Sequence, residues 1–205
     1  QGISLNAAFS RVSSHALQLA GVPVVNFVCQ RGLTRCVLGT DRDDFNAAPP
    51  CKVCLAQSRA LYHGTVTRGF TYQADPDLDH ALAPLPLAEL MNFEYQGVPL
   101  GTLVLPALRW VLRRHTLADD EPTRFLLCQY LASAWQVARS FTQLLDEVNP
   151  QAVLVFNGQF YPEATARWLA RQRGLPVIAH EVGMLPLTGY FTRGEATAYP
   201  IDIPA

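Results

Sequence analysis

The chain has 205 residues, of which 49% are hydrophobic and 16% are charged, and its formal net charge is −1 at pH 7. This composition is typical of a globular domain with one core, or with two small ones, and it excludes a disordered tail. A net charge near zero excludes a chain steered as a whole to nucleic acid or to an anionic membrane. No apolar run approaches the roughly 20 residues of a membrane helix, so we expect no nucleic-acid partner and no transmembrane segment.

Helical and strand patterns alternate along the first third of the chain. Residues 7–20 place apolar side chains near one helical face and end at Gly21, and residues 22–29 form an apolar run typical of a strand. Residues 53–62 return to helical spacing, and residues 66–72 predict a second strand. This order of helix, strand, helix and strand is typical of the opening of a doubly wound fold.

The middle of the chain is predicted to be one loop followed by helices. Residues 75–86 contain three prolines and three aspartates, which predicts a loop. A short helix over residues 87–93 and a longer one over residues 102–114 follow. The longest helix is expected over residues 122–148, where apolar side chains recur at alternating spacings of three and four.

Residues 151–183 contain one strand, loop, helix and strand unit. A valine-rich apolar run predicts a parallel strand over residues 151–156, buried on both faces. A helix then begins at Pro162 and is capped by Gly174 in the left-handed conformation. A second strand is expected over residues 176–179.

This order of elements predicts the α/β class, as a three-layer Rossmann-like domain whose mainly parallel sheet is flanked by helices. The sheet is expected to include residues 24–28, 152–156 and 176–179, and helix should exceed strand. Residues 184–205 lose clear periodicity and are expected to be extended or loop. The chain has no GxGxxG after a strand, no GxxxxGK[ST] and no GxSxG, so a dinucleotide site, a P-loop and a hydrolase triad have no support.

Polar residues stand where the two strands of residues 151–183 end. Asn157 and Gly158 follow the first strand, and His180 and Glu181 follow the second. Because ligands bind at the carboxyl edge of open α/β sheets, Asn157 and Glu181 are expected to lie together there, on a concave surface. The alternatives are a tight turn at Asn157, a hydrogen-bonded core position for His180, and an ion-paired or capping surface position for Glu181.

Four of the five cysteines are clustered in the sequence as Cys29, Cys36, Cys51 and Cys54. Four thiolates can hold a structural zinc ion, and the Cys-x2-Cys spacing is one that such sites favour. Reduced structural thiols and a disulfide are the alternatives. Disulfides are typical of exported proteins, and the sequence shows no sign of export, so the disulfide is the less favoured of the two. The remaining cysteine, Cys128, is expected to be a core residue of the long helix.

Three stretches carry a family resemblance: YQGVPLG at residues 95–101, FNGQFYPEATARWLARQRGLPVIAHEVG at residues 156–183, and CQRGLTRCVLG with PPCKVC within residues 29–54. Together with the long helix, they resemble the amino-terminal half of glycosyltransferases of the GT-B fold, of the type that acts in bacterial capsule and surface-polysaccharide biosynthesis. The resemblance implies that residues 1–205 form a single Rossmann-like acceptor-side domain. The donor-binding half is expected to be absent from this chain, which should be inactive alone.

The resemblance also implies partners and roles. A sugar would pass from a nucleotide-sugar donor, bound mainly by the missing half, to a glycan or lipid-linked acceptor. An inverting transfer needs a base for the acceptor hydroxyl, and Glu181 and then His180 are the candidates. If configuration is retained, Glu181 would position the acceptor. Asn157, Gly158 and His15 are the candidates for acceptor binding, although an exposed helix position is the simpler interpretation of His15.

No cofactor is expected apart from the zinc candidate, and the expected location is cytoplasmic, or peripheral at the inner membrane face. A second class of function stays open from the sequence. The chain could be a non-catalytic α/β module that binds a ligand or another protein.

Overall fold

The structure is a computed structural model, and it describes residues 5–197, with side chains from Ala7 onward. Helices occupy far more of the chain than strands, and the predicted α/β class is confirmed. No helix in residues 5–197 is both long enough and apolar enough to cross a membrane.

In chain order, the elements are α1 (Leu5–Leu19), β1 (Asn26–Cys29), a short 3₁₀ helix (Val37–Gly39), α2 (Cys51–Leu61), β2 (Thr67–Phe70), α3 (Pro76–Leu82), α4 (Leu87–Leu90), α5 (Leu100–Leu112), α6 (Glu121–Val148), β3 (Val153–Phe156), α7 (Tyr161–Gln172), β4 (Val177–Val182) and β5 (Gly189–Arg193).

The strands of the described residues form two sheets rather than one. β1 and β2 pair in parallel as a two-stranded sheet, while β3 and β4 pair in parallel and β5 adds to β4 in the antiparallel sense. The prediction that residues 24–28 share one parallel sheet with β3 and β4 is therefore wrong. β1 buries its apolar surface elsewhere, because Phe27 stacks on Phe70 of β2 at 4.7 Å between ring centroids and contacts Phe141 of α6.

Helix α6 runs through the centre of the molecule, as its predicted length and apolar spacing indicated. Asp120 caps its start by accepting a 2.9 Å hydrogen bond from the backbone N–H of Thr123, and Asn149 ends it at φ 45°. Tyr130 and Leu131 are fully buried within it. α6 packs against α5 and α7, and its far end reaches the first sheet.

Helix α3 lies in the stretch that was predicted to be a loop. Asp75 caps it by accepting a 3.1 Å hydrogen bond from the backbone N–H of Leu78, and Pro76 occupies the first turn, where a missing N–H costs nothing. Leu78 and Leu82 then reach the core. The same residue types that predict a loop therefore start a helix here, because two leucines at helical spacing find a buried surface.

Strand β4 is longer than predicted, and a further strand follows it. Because β5 pairs with β4 up to Val182, the strand continues through His180 and Glu181, which were expected to lie beyond its end. Part of residues 184–205, expected to be mostly extended or loop, is therefore a paired strand. Residues 198–205 lie outside the described residues.

Candidate functional site

The two polar residues expected at the carboxyl edge of the sheet are in direct contact. The Nδ2 atom of Asn157 donates a 2.6 Å hydrogen bond to Oε2 of Glu181. β3 and β4 are parallel with Phe156 opposite His180, so the residue after β3 comes to lie beside Glu181 in β4. The prediction that Asn157 and Glu181 lie together is confirmed.

A tight turn after β3 orients the Asn157 amide. Asn157 and Gly158 have φ values of 56° and 75°, a left-handed conformation that these two residue types adopt most readily. The Oδ1 atom of Asn157 accepts a 2.9 Å hydrogen bond from the backbone N–H of Gln159, which leaves the NH₂ group directed at Glu181. Gly158 is buried and its N–H donates to the carbonyl of Phe156, so it shapes the turn and offers no free N–H to a ligand.

The carboxylate of Glu181 is buried and held in one orientation. The residue is 8% exposed, and its Oε1 atom accepts a 2.8 Å hydrogen bond from the backbone N–H of Val182 while Oε2 accepts from Asn157. No arginine or lysine of the described residues forms an ion pair with it. A carboxylate accepts about four hydrogen bonds, so lone pairs remain for one more donor, such as a hydroxyl group.

His180 lies in the core, on the side of β4 that α1 covers. It is 1% exposed, and its Nε2 atom is 3.1 Å from Oγ of Ser10. Burial lowers the pKa of His180 below its ordinary value, against a smaller opposing influence of Glu181, so the imidazole is neutral. Its position matches the hydrogen-bonded core alternative rather than that of a base in contact with substrate. The aromatic neighbours of the ring are Phe9, Phe156 and Phe191.

His15 is not brought to the Asn157–Glu181 pair by any contact. It is exposed on α1, and it makes no hydrogen bond or ion pair with a described residue. This matches the simpler interpretation of His15 as an exposed helix residue.

A groove of about 1020 Å³ lies away from the predicted site. Gln172, at the end of α7 where the chain turns back into β4, is part of its wall, so the groove lies toward the amino ends of the strands. None of the predicted site residues lines it, and the expected concave surface at Asn157 and Glu181 is therefore not this groove. Its other main wall residues are Asp75, Trp135, Arg139 and Trp168.

Glu163 is a titratable group that sequence reasoning missed. It lies in the first turn of α7, the helix that follows the turn at Asn157 and Gly158. Burial raises the pKa of Glu163 to about 7, and its own backbone N–H is the one opposing influence from the described residues. The signal that could have found it is an acidic residue at a helix start directly after a strand end.

The four clustered cysteines are free thiols that the fold gathers in one region. Burial, with smaller contributions from negative charge on Cys29, Cys51 and Cys54, raises the pKa of Cys36 to about 11, so the four sulfurs lie within electrostatic reach of one another. Within the described residues, no group of three or more His, Cys, Asp and Glu side chains is placed so that it could hold a metal ion. Cys128 is half-buried and packs against the core, as predicted.

Comparisons with protein-family models, curated proteins and solved structures return no match to this chain. The glycosyltransferase resemblance therefore stays an expectation from the sequence. The function has to be argued from the side chains at the sheet edge.

Proposed function

We propose that this chain is the acceptor-side domain of a glycosyltransferase that transfers a sugar from a nucleotide-sugar donor to a glycan or lipid-linked acceptor in surface-polysaccharide synthesis. The observation that supports the proposal is the Asn157–Glu181 pair beside the carboxyl ends of β3 and β4. In open α/β sheets this edge faces bound ligands. A buried carboxylate joined to an oriented amide is suited to hold one sugar hydroxyl through a charge-assisted hydrogen bond.

In this mechanism Glu181 accepts the proton of the acceptor hydroxyl while the hydroxyl oxygen attacks the anomeric carbon of the donor sugar. The bond from that carbon to the diphosphate breaks, and the diphosphate leaves with the electron pair. Asn157 acts as a positioning residue, because its amide fixes the direction of the carboxylate. His180 supports β4 from the core and takes no part in proton transfer.

The proposal carries three further statements about the whole protein. The β3–α7–β4 unit belongs to a three-layer, Rossmann-like acceptor-side domain, and a donor-binding half covers the edge at Asn157 and Glu181. The enzyme is cytoplasmic or peripheral at the inner membrane face, where lipid-linked acceptors are presented. The isolated domain turns over little, since the donor is held mainly by the other half.

Sugar transfer by a protein that carries this domain together with its donor-binding half tests the proposal. Glu181→Gln should lower turnover by roughly 100-fold or more while the protein stays folded, as expected on removing a positioned base. The matched control is Glu94→Gln, because Glu94 is an exposed carboxylate outside the site. Transfer by Glu181→Gln at the parental rate would contradict the role of Glu181.

One observation favours a second function, that of a non-catalytic binding module. Both carboxylate oxygens of Glu181 already accept hydrogen bonds within the protein, as they would if the pair served the turn alone. The same protein assayed with a panel of nucleotide sugars separates the two functions. Glycan binding without transfer to any acceptor supports the binding module.

A further inference from the structure

We propose that the groove lined by Trp135 and Trp168 is a second binding site, and that its ligand is a neutral oligosaccharide. The groove has a volume of about 1020 Å³, at the upper end of the range of small-molecule sites. Its walls come from the turn at residues 95–98, from α6 and from α7, and neither Asn157 nor Glu181 is part of them. The proposal goes beyond sugar transfer and does not depend on it.

Two indole rings on neighbouring helices belong to the groove. Trp135 lies on α6 and Trp168 on α7, and these helices pack against each other. The indole N–H of Trp135 donates a 2.7 Å hydrogen bond to Oδ2 of Asp75, and the ring of Tyr95 packs perpendicular to it at 5.0 Å between centroids, so this indole is held in one orientation. Trp168 is half-buried and has the more accessible ring of the two. Because an indole face is apolar and electron-rich, the C–H groups of a sugar ring pack on it favourably.

Asp75 and Arg139 place a hydrogen-bond acceptor and a donor beside the indole of Trp135. Their atoms Oδ2 and Nη1 are 3.7 Å apart, which is too long for a direct hydrogen bond. The Nη2 atom of Arg139 donates to the carbonyl of Gln73 and to Oε1 of Gln136, which fixes the guanidinium. Its Nε atom is buried and has no hydrogen-bond partner among the described residues, so the fold does not use all of its donors. One sugar hydroxyl suits the pair, since it accepts from Nη1 and donates to Oδ2.

Further polar side chains of the groove are not used by the fold. Gln96, Thr142 and Gln172 line it, and their side chains make no hydrogen bond with another described residue. Amides and hydroxyls donate and accept, as the hydroxyl groups of a sugar do. Gln96 has φ 48° in the tight turn before Gly97, a left-handed conformation that is uncommon for residues other than glycine. Such positions cluster at ligand sites.

The charges of the groove favour a neutral ligand. Three carboxylates line it, those of Asp75, Asp146 and Glu147. Among its described wall residues only Arg139 is basic, so the groove repels a phosphate or another anion. A cation gains little either, because Arg139 already pairs with Asp75 and Arg173 pairs with Asp146 at 2.6 Å. Aromatic surface combined with uncharged donors and acceptors is suited to a neutral saccharide.

Nuclear magnetic resonance of the whole chain tests the proposal, because the indole N–H signals of its three tryptophans report on different places. Maltotriose, cellotriose and laminaritriose, titrated to millimolar concentration, are the probes. We expect at least one of them to shift the signals of Trp135 and Trp168 and to leave that of Trp110 in place. Trp110 lies on α5 outside the groove and is 48% exposed, so it is an internal control for contact with sugar in general.

Trp168→Leu should weaken binding of that trisaccharide by at least about tenfold, because it removes the accessible indole face. Trp110→Leu is the matched control and should bind it as the parent does. The wild-type chain alone decides the question if Trp168→Leu does not fold. No shift with any of the three trisaccharides, or a shift of Trp110 equal to those of Trp135 and Trp168, would overturn the proposal. Binding in the groove is measured without donor or transfer, so this proposal and that of Glu181 as a base can fail separately.

Discussion

Asn157 holds the proposed site together through a single amide group. Its oxygen accepts a hydrogen bond from the N–H of Gln159, and its nitrogen donates to Glu181. Its backbone carbonyl accepts from the N–H of Thr197 at 2.8 Å, which ties the turn to the segment after β5. The buried carboxylate therefore depends on one side chain and on a left-handed backbone.

Substitution of Asn157 separates the side-chain contribution from that of the backbone. Asn157→Ala loses both side-chain hydrogen bonds and puts alanine at φ 56°, a left-handed conformation that alanine adopts less readily than asparagine, so the free energy of unfolding should fall by roughly 2–4 kcal/mol. Asn157→Gly loses the same hydrogen bonds, but glycine adopts this backbone conformation without strain. Its free energy of unfolding should therefore fall by about 1 kcal/mol less than that of Asn157→Ala. Urea unfolding of the two variants measures the difference. An alanine variant as stable as the glycine variant would refute the strained turn.

Glu163 should make stability depend on pH near neutrality. Its pKa is raised from 4.5 to about 7, so between these values the folded chain retains a proton that the unfolded chain has released. The contribution of Glu163 to the free energy of unfolding is therefore greatest at low pH and falls as the pH rises toward 7. Glu163→Gln should raise stability by roughly 1–3 kcal/mol at pH 8 and by much less at pH 5.

Urea unfolding at the two pH values, with Glu94→Gln as an exposed control, checks this expectation. His180 acts in the opposite sense, because its pKa is lowered in the folded chain. Its contribution to the free energy of unfolding is lost as the pH falls below about 6.5, the ordinary pKa of histidine. Each variant is therefore compared with the parent at the same pH. An equal gain for Glu163→Gln at both pH values would contradict a desolvated carboxyl group that titrates near neutral pH.

At the scale of elements, Asp75 joins α3 to α6. Its Oδ1 atom caps α3 through the N–H of Leu78, and its Oδ2 atom accepts a 2.7 Å hydrogen bond from the indole N–H of Trp135. Arg139 adds an ion pair at 3.7 Å. Burial alone would raise the pKa of Asp75. The hydrogen bonds and the Arg139 guanidinium outweigh this effect and lower the pKa of Asp75. A residue at the edge of a predicted loop thus fixes two helices and one wall of the groove.

Asp75→Ala should cost more than the loss of a helix cap alone. The variant removes the cap and leaves the buried indole N–H of Trp135 without its acceptor, so the free energy of unfolding should fall by roughly 2–4 kcal/mol. Asp120→Ala is the matched control, because Asp120 caps α6 and, among the described residues, forms no hydrogen bond or ion pair with another helix. Thermal unfolding of both variants gives the comparison, and equal losses would show that the Trp135 contact contributes nothing.

At the scale of the whole molecule, α6 connects the first sheet with the helix that joins two strands of the second sheet. Phe141 reaches Phe27 of the first sheet, while the same helix packs against α7, the crossover of the second sheet. Tyr161, at the start of α7, donates a hydrogen bond to the carbonyl of Arg35. The cysteine region and the Asn157–Glu181 edge are therefore connected through the start of α7, although they belong to different sheets.

Much of the candidate site could be predicted because its signals are local. An apolar run, an Asn-Gly break, a proline at a helix start and a glycine at its end identify β3, α7 and β4, and one parallel crossover places Asn157 beside Glu181 whatever the rest of the fold does. The sequence left open whether His180 is a base or a hydrogen-bonded core residue, because its burial depends on α1 and β5 covering the same strand from distant parts of the chain.

The sequence by itself determined the α/β class, the long helix α6 and the juxtaposition of Asn157 with Glu181. Only the tertiary structure decided that β1 and β2 form a sheet of their own, that β5 extends β4, and that the half-buried Glu163 is desolvated enough to raise its pKa. The physical reason is the range of the interactions. Helix periods, caps and turns act within a few residues and leave a mark in the local sequence, whereas strand pairing and desolvation depend on which distant surfaces meet.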